Sequence, residues 1–212
     1  MASAAQLTAI LLLLVGLYPG AVTAQTAPAA APVYTLPGYF SCTLPTDWLP
    51  EAQVADDAIA GVTRQGPRSD TIPARLSAHY YAAGNHLYAS AEQYIQRHAE
   101  PAGGSALAGN RYTPASPIRV ADRAAQVFER TRSEFVPLRN ELDTAGRPAA
   151  DDPRVYERAE LMARAVVVRE RFVVIPGTSG GFYVLHYSAA FDDYTTHQPH
   201  FNRLVATFQP LR

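Results

Sequence analysis

The last third of the chain, residues 170–210, constrains the fold more than any other stretch. A short run of aromatic and β-branched residues at 172–175 ends at Pro176, which predicts a strand. Gly177, Gly180 and Gly181 are then expected to supply the positive φ angles of a tight reversal. Residues 182–187 predict the return strand. Because both of its faces are largely apolar, we expect this strand to be central and covered on both sides.

A helix is predicted to close the chain. Its apolar stripe has the spacing i, i+3, i+4 and i+7 and consists of Phe201, Leu204, Val205 and Phe208. Pro199 suits the first turn of this helix; if the helix instead begins near Asp192, Pro199 lies inside it.

The other elements are shorter and alternate with turn signals. We predict strands at 59–64 and 75–81, a helix capped by Ser90, a loop over 101–117, a hairpin of 118–120 and 124–131, and an irregular excursion over 133–153. Asp152 and Pro153 then indicate a short helix, with a strand from Ala163 as the alternative. The predicted fold class is α+β: a mainly antiparallel β-sheet flanked by a few helices, with the C-terminal helix packed on the sheet.

The N-terminal residues predict export. An apolar stretch at 10–17 followed by Val22-Thr23-Ala24 fits a secretory signal peptide over residues 1–24, with a retained membrane anchor as the alternative. Residues 25–37 are rich in Ala and Pro and read as a linker. A single domain is expected over 38–212, and we expect the protein to be periplasmic or extracellular, with no stable membrane span after cleavage.

Composition excludes some functions and leaves others open. The net charge is −1 and there are no basic blocks, so nucleic acid is not an expected partner. Cys42 is the only cysteine and lies between apolar residues, so we expect a buried, inert thiol. Trp48 is the only tryptophan and is expected to anchor the core.

Several side chains carry weaker signals for a site. His79 falls on one face of a predicted strand with Ser77 and Tyr81, where a structural role is the default expectation. The tyrosines are expected in the core and at sheet edges, with a sugar-binding face as the alternative. They are Tyr80, Tyr81, Tyr88, Tyr183, Tyr187 and Tyr194.

Residues 177–181 match the G-x-S-x-G pattern of a hydrolase nucleophile elbow around Ser179. That motif needs a strand before the serine and a helix after it, whereas here a strand is predicted to follow. Ser179 is therefore expected to be a turn residue, and the protein is not expected to be an enzyme; a serine hydrolase is the alternative.

A His/Asp cluster near the C-terminus suggests a metal site. The candidate ligands are His186, Asp193, His197 and His200, with Asp192 adjacent. A helix would place residues three and four apart on one face, and such a set suits zinc or another divalent metal. The alternative is that these residues are helix caps and surface side chains, with no cofactor.

The chain resembles the PsbP/Mog1-like fold group. The residues that carry the resemblance are GYFSCTLPTDW at 38–48, SAEQYIQ at 90–96, VFER at 127–130, GFYVLHYSA at 181–189, Pro199, Phe201 and ATFQP at 206–210. The resemblance implies an antiparallel sheet flanked by helices, and members that are accessory or binding proteins. We therefore expect a non-catalytic exported protein that interacts with another envelope protein or component, with a small metal- or ligand-binding protein as the alternative.

The metal hypothesis predicts a stabilisation that can be measured. If the cluster binds zinc, copper or calcium, the melting temperature of the protein should rise with that ion, because a ligand of the folded state stabilises it by mass action. The shift should disappear in the His197→Ala, His200→Ala double variant. An unchanged melting temperature with every ion would count against the site.

Overall fold

The computed structural model describes residues 32–52, 58–67, 72–100, 110–137 and 163–212. Two helices lie in these ranges, α1 (Ala91–Ala99) and α2 (Tyr194–Thr207). The strands are β1 (Val33–Leu36), β2 (Phe40–Thr43), β3 (Leu49–Pro50), β4 (Ile59–Gln65), β5 (Arg75–Tyr81), β6 (Arg111–Tyr112), β7 (Ser116–Val120), β8 (Arg123–Pro137), β9 (Ala163–Pro176), β10 (Phe182–Ala190) and β11 (Gln209–Pro210).

The strands form two antiparallel sheets. The larger has the order β3-β4-β5-β10-β9-β8-β6, and β7 also pairs with β8; the smaller has the order β1-β2-β11. Every strand pairing is antiparallel, and α2 packs on β10 and β2. The predicted α+β class with a closing helix on the sheet is confirmed.

The central strand β10 separates two apolar cores. Its residues Tyr183, Leu185 and Tyr187 face α2, and Phe182 and Val184 face α1. This alternation is the two-residue period of a strand, and it buries both faces because each is apolar. The predicted central position of this strand, between β5 and β9, is also confirmed.

The turn between β9 and β10 uses its glycines differently from the prediction. Only Gly180 of the three has a positive φ, at 83°. Gly181 is required by close packing instead, because a Cβ there would lie 2.3 Å from the Tyr80 hydroxyl and 2.5 Å from the Tyr81 carbonyl oxygen. Gly177 donates its backbone N–H to the Gly181 carbonyl at 2.8 Å and closes the turn.

α1 begins as local sequence rules require, whereas α2 begins without a side-chain cap. Ser90 Oγ accepts a hydrogen bond from Gln93 N at 3.2 Å, and the Gln93 side chain accepts one from Ala89 N at 2.6 Å. α2 begins after Asp193 and contains Pro199, so the alternative in which the proline lies inside the helix is the observed one.

Three segments differ from their predicted structure. Residues 33–36, assigned to the linker, form β1, because this β-prone run pairs with β2 across a turn at Gly38. The predicted loop at 101–117 contains β6 and begins β7, where Pro117 is tolerated because β7 is an edge strand. Residues 133–137 of the predicted excursion continue β8, since β9 is long enough to pair with them.

The remaining sequence predictions fall into two groups. The paired strands at 59–64 and 75–81, the 118–131 hairpin, and the strand from Ala163 are confirmed. The signal peptide, most of the linker, the rest of the excursion and the short helix near 153 lie outside the described residues. Among the described residues, neither helix has the length and apolar character needed to cross a bilayer.

Cys42 and Trp48 occupy the core on the α2 side. Both are buried, and burial raises the pKa of the Cys42 thiol to about 12. A thiol with such a pKa stays protonated and unreactive near neutral pH. The predicted burial of both residues is confirmed.

Substituting Gly181 should destabilise the hairpin. Gly181→Ala should lower the free energy of unfolding by about 1 to 3 kcal/mol, because the new methyl group meets backbone and ring atoms that cannot move freely. Urea unfolding monitored by circular dichroism measures this. The control is Ser179→Ala in the exposed part of the same turn, expected within about 0.5 kcal/mol of the parent. Equal stability of the two variants would contradict the packing argument.

Candidate functional site

Among the described residues, α1 covers only part of its face of the large sheet, and a polar cavity lies beside it. The cavity has a volume of about 310 Å³. It is lined by Glu51, Thr63, Ile72, Arg75, Ser77, His79, Tyr81, Tyr94, Arg132, Glu134, Val168, Glu170, Val184, His186 and Ser188. Most of these residues come from β5, β8, β9 and β10, where the two-residue strand period puts polar side chains on a shared face. The volume lies at the low end of the range of small-ligand pockets, about 300 to 1,000 Å³, and the lining is more polar than is usual for them.

The Glu170 carboxylate lies at the base of the cavity and is 3% exposed. Its Oε2 accepts hydrogen bonds from Arg130 Nε and, at 3.0 Å, from Arg132 Nε. Its Oε1 accepts one from Arg130 at 3.3 Å and lies 3.2 Å from His186 Nε2 without the alignment of a hydrogen bond. Burial by itself raises the pKa of Glu170, but the contacts with His186 and Arg130 outweigh it and hold the pKa well below its usual range. The carboxylate is therefore a permanent anion at neutral pH.

His98 joins α1 to this network. Its Nδ1 lies 3.2 Å from Arg130 Nη1, and its Nε2 lies 2.9 Å from the Tyr88 hydroxyl. Because a guanidinium can only donate, Nδ1 must accept, and the ring is neutral with its proton on Nε2. Burial, followed by the charge of Arg130, lowers the pKa of His98 to about 4. The hydrogen-bond geometry and the pKa direction agree.

His79 lies beside the same cavity in β5. Its ring occupies the space over Gly61 in β4, where an added Cβ would lie 2.1 Å from the His79 ring. Burial, followed by the charge of His186, lowers the pKa of His79 to about 4. The structure therefore places this predicted structural histidine in the wall of the candidate site.

The carboxylates around the cavity are paired with arginines. Among the described residues, three glutamates line it, and each lies in an ion pair with an arginine. Besides the Glu170 network, Arg75 lies 3.4 Å from Glu51, and Arg132 lies 3.0 Å from Glu134. Arg75 and Arg132 belong to the described lining, whereas Arg130 binds Glu170 from outside it. A ligand thus meets many hydrogen-bonding groups, and each described carboxylate that it meets already has a guanidinium partner.

The structure separates the predicted metal ligands. His186 is on β10 in the cavity, on the face of the sheet opposite α2. His197 and His200 are on α2 and pack against Trp48, with ring centroids 5.5 and 5.3 Å from the indole. Asp193 is the residue before the first turn of α2. In the ranges that the structure describes, no group of three or more His, Cys, Asp or Glu side chains is placed to hold a metal ion. Metal binding by this set stays a prediction.

Ser179 lies in the exposed turn between β9 and β10, as predicted. Its Oγ is 3.4 Å from the Tyr80 hydroxyl. β10 follows the turn, so the strand-turn-helix context of a nucleophile elbow does not occur at this serine.

Glu170 and the two arginines that bind it were not predicted as site residues. Arg130 lies in the predicted strand 124–131, Glu170 lies in the alternative strand from Ala163, and Arg132 lies just beyond the predicted hairpin. One signal was available in the sequence. Glu170 lies two residues before the apolar run at 172–175, and a charged side chain must be paired if its strand is central. Its partners depend on the register between β8 and β9, which pairs Arg130 with Glu170 and which the sequence does not fix.

No protein-family model matches the chain, and no curated protein matches it. Among solved structures, the chain is similar to LpqN of Mycobacterium tuberculosis, a protein involved in cell envelope biogenesis. The TM-score is 0.45 at 14% sequence identity, over 81% of this chain and 82% of LpqN. A likeness at this level carries neither a family nor a function.

Removing the buried carboxylate should cost much more stability than removing an exposed one. Glu170→Gln should lower the free energy of unfolding by about 3 to 5 kcal/mol, because it leaves two guanidiniums without their buried counter-ion. Glu134→Gln removes another carboxylate partner of Arg132, but at an exposed position, and should cost about 0 to 1 kcal/mol. Urea unfolding at pH 7 compares the two variants, and equal losses would contradict the role of burial.

The contribution of Glu170 to the free energy of unfolding should also depend on pH. Because the folded-state pKa of Glu170 is lowered, its contribution to stability is fully present above its ordinary pKa of 4.5 and is lost as the pH falls toward the folded value. The difference between the parent and Glu170→Gln should therefore shrink below pH 4.5. A difference that stays constant between pH 7 and the acid unfolding of the parent would contradict the lowered pKa.

Proposed function

We propose that the protein is a non-catalytic binding protein whose cavity beside α1 takes a small, polar ligand without net charge. The observation that carries this proposal is the 310 Å³ cavity above the buried Glu170 network. The binding role that the sequence predicts is thereby assigned to the cavity on the large sheet. Of the candidate ligands in the 186–200 cluster, only His186 belongs to this site.

The polar character of the ligand follows from what the cavity presents. Ser77, Ser188 and His186 lie on its base, and the paired guanidiniums and carboxylates lie around it. A ligand that enters without hydrogen-bonding groups would cover these polar atoms and remove them from water at a cost of about 1 to 3 kcal/mol for each one left unmatched. Hydroxyl and amide groups, which both donate and accept, suit such a lining.

The absence of net charge on the ligand follows from the ion pairs between the glutamates of the lining and the arginines beside them. Each glutamate of the lining already lies next to an arginine. A carboxylate or ammonium group on the ligand would introduce a charge with no matching partner into a partly desolvated space, which is unfavourable unless an existing ion pair breaks. A neutral ligand avoids this cost.

A non-catalytic role is supported by the placement of the hydrolase candidate. Ser179 contacts a tyrosine hydroxyl, and its turn leads into a strand. The location of the protein in the envelope and its contact with another envelope protein or component are part of the proposal. They rest on the predicted signal peptide and the PsbP/Mog1-like resemblance given above. In that role, the cavity would bind a small-molecule component of the envelope.

The proposal predicts selection by charge. Neutral polar compounds should raise the melting temperature more than charged analogues on the same skeleton, for example glucose compared with glucuronate and glucosamine, in a panel that also contains polyols and primary amides. Binding at a hundredfold excess over the dissociation constant stabilises the folded state by about 2.7 kcal/mol.

A filled cavity serves as the control for this experiment. Ser77→Leu places a larger apolar side chain on the cavity base and should abolish the shift. Ser41→Leu, on β2 of the small sheet, makes the same exchange away from the cavity and should preserve it. A shift that survives in Ser77→Leu would place the ligand elsewhere, and a larger shift with the charged analogues would contradict the charge argument.

A further inference from the structure

The contact between His98 and Arg130 ties α1 to the sheet, beside the apolar packing of Tyr94 and Ala99, and depends on the absence of one proton. Arg130 Nη1 donates to His98 Nδ1 at 3.2 Å. A proton on Nδ1 would turn this acceptor into a donor and place a second positive charge against the guanidinium. This contact therefore holds only while His98 is neutral.

Arg130 is not free to move away from a charged His98. Its Nε and a terminal nitrogen are bound to the buried Glu170 carboxylate, and its guanidinium lies 5.1 Å from the centre of the Phe172 ring. His98 is instead carried on the last turn of a nine-residue helix that ends at Ala99. When the two groups repel each other, α1 is the element that moves.

Movement of α1 changes the cavity because Tyr94 is one of its walls. Tyr94 lies four residues before His98, and the two rings pack at a centroid distance of 4.2 Å. If His98 moves away from Arg130, the Tyr94 ring in the cavity wall loses one of its packing partners. We propose that α1 is an acid-operated wall of the cavity, which is held closed by neutral His98 and released when His98 takes up a proton.

The surroundings of His98 contain groups of both signs. From the described residues, the titratable and charged groups that face it are Tyr88 from the segment before α1, Tyr94 and Arg97 from α1, Arg130 from β8, Glu170 from β9 and His186 from β10. Glu170 favours the charged ring, but it is already bound to Arg130 and Arg132 and lies 3.2 Å from His186. Burial and the positive neighbours outweigh it, in agreement with the lowered pKa of His98.

The direction of the pH effect follows from linkage. The pKa of His98 is about 4 in the closed structure and rises toward the ordinary value of 6.5 once α1 leaves the sheet. The opening equilibrium should therefore increase by up to about tenfold for each pH unit between 6.5 and 4. Above pH 6.5 it should not depend on pH through this group.

Hydrogen exchange of the α1 amides tests the proposal on the purified protein without any ligand. After correction for intrinsic exchange rates, protection of residues 94–99 should fall between pH 6.5 and 4.5 while that of β10 persists. His98→Gln can accept from Arg130 and donate to Tyr88 but cannot be protonated. It should keep the protection seen at pH 7 and lose the acid dependence. The same acid dependence in His98→Gln as in the parent would overturn the proposal.

Two further measurements keep the test decisive if His98→Gln does not fold. His79→Gln replaces the other histidine whose pKa is lowered to about 4 on this face, and it should leave the acid response of α1 intact; loss of the response here would overturn the proposal. Nitrogen NMR of the unmodified protein at pH 7 should show His98 neutral with its proton on Nε2, and a charged ring or an Nδ1 proton would also overturn it. Because no ligand is present, these outcomes are independent of whether the cavity binds a neutral polar compound.

Discussion

The buried carboxylate of Glu170 is the constraint on which the polar half of this structure depends. An ion that is 3% exposed is tolerated only when it is paired, and here the partners are two arginines of the neighbouring strand and a histidine of the central one. That requirement holds the Arg130 guanidinium, which in turn sets the tautomer of His98 on α1. One buried charge therefore links side chains of three strands to a helix.

The two faces of the large sheet have different roles. On one face, the fourteen-residue α2 and the small sheet cover the apolar side chains of β10, and the core is filled by aromatic rings that include Tyr183, Tyr187 and Phe201. On the other face, the nine-residue α1 covers only part of the strands among the described residues, and the part beside it is polar. The cavity lies there, and filling it with apolar side chains would bury unmatched charges.

Most of the secondary structure could be predicted because its signals are local. The Ser90 cap, the stripe from Phe201 to Phe208 and the apolar run before Pro176 each depend on residues within about eight positions of one another. The strand predictions that failed concerned β1, β6 and the end of β8, whose strand structure depends on pairing with a partner strand. The metal hypothesis depended on spacing along the chain, which does not show that β10 presents His186 to the opposite face from α2.

The sequence by itself determined the fold class, the central position of β10, the closing helix and the burial of Cys42 and Trp48, because these follow from periodicity and from the burial of apolar side chains. Only the tertiary structure decided which polar residues meet. Glu170 is forty residues from Arg130 and seventy-two from His98, and these groups come together through strand register and helix docking. The candidate site lies where distant charges pair, and no local pattern in the chain records those pairings.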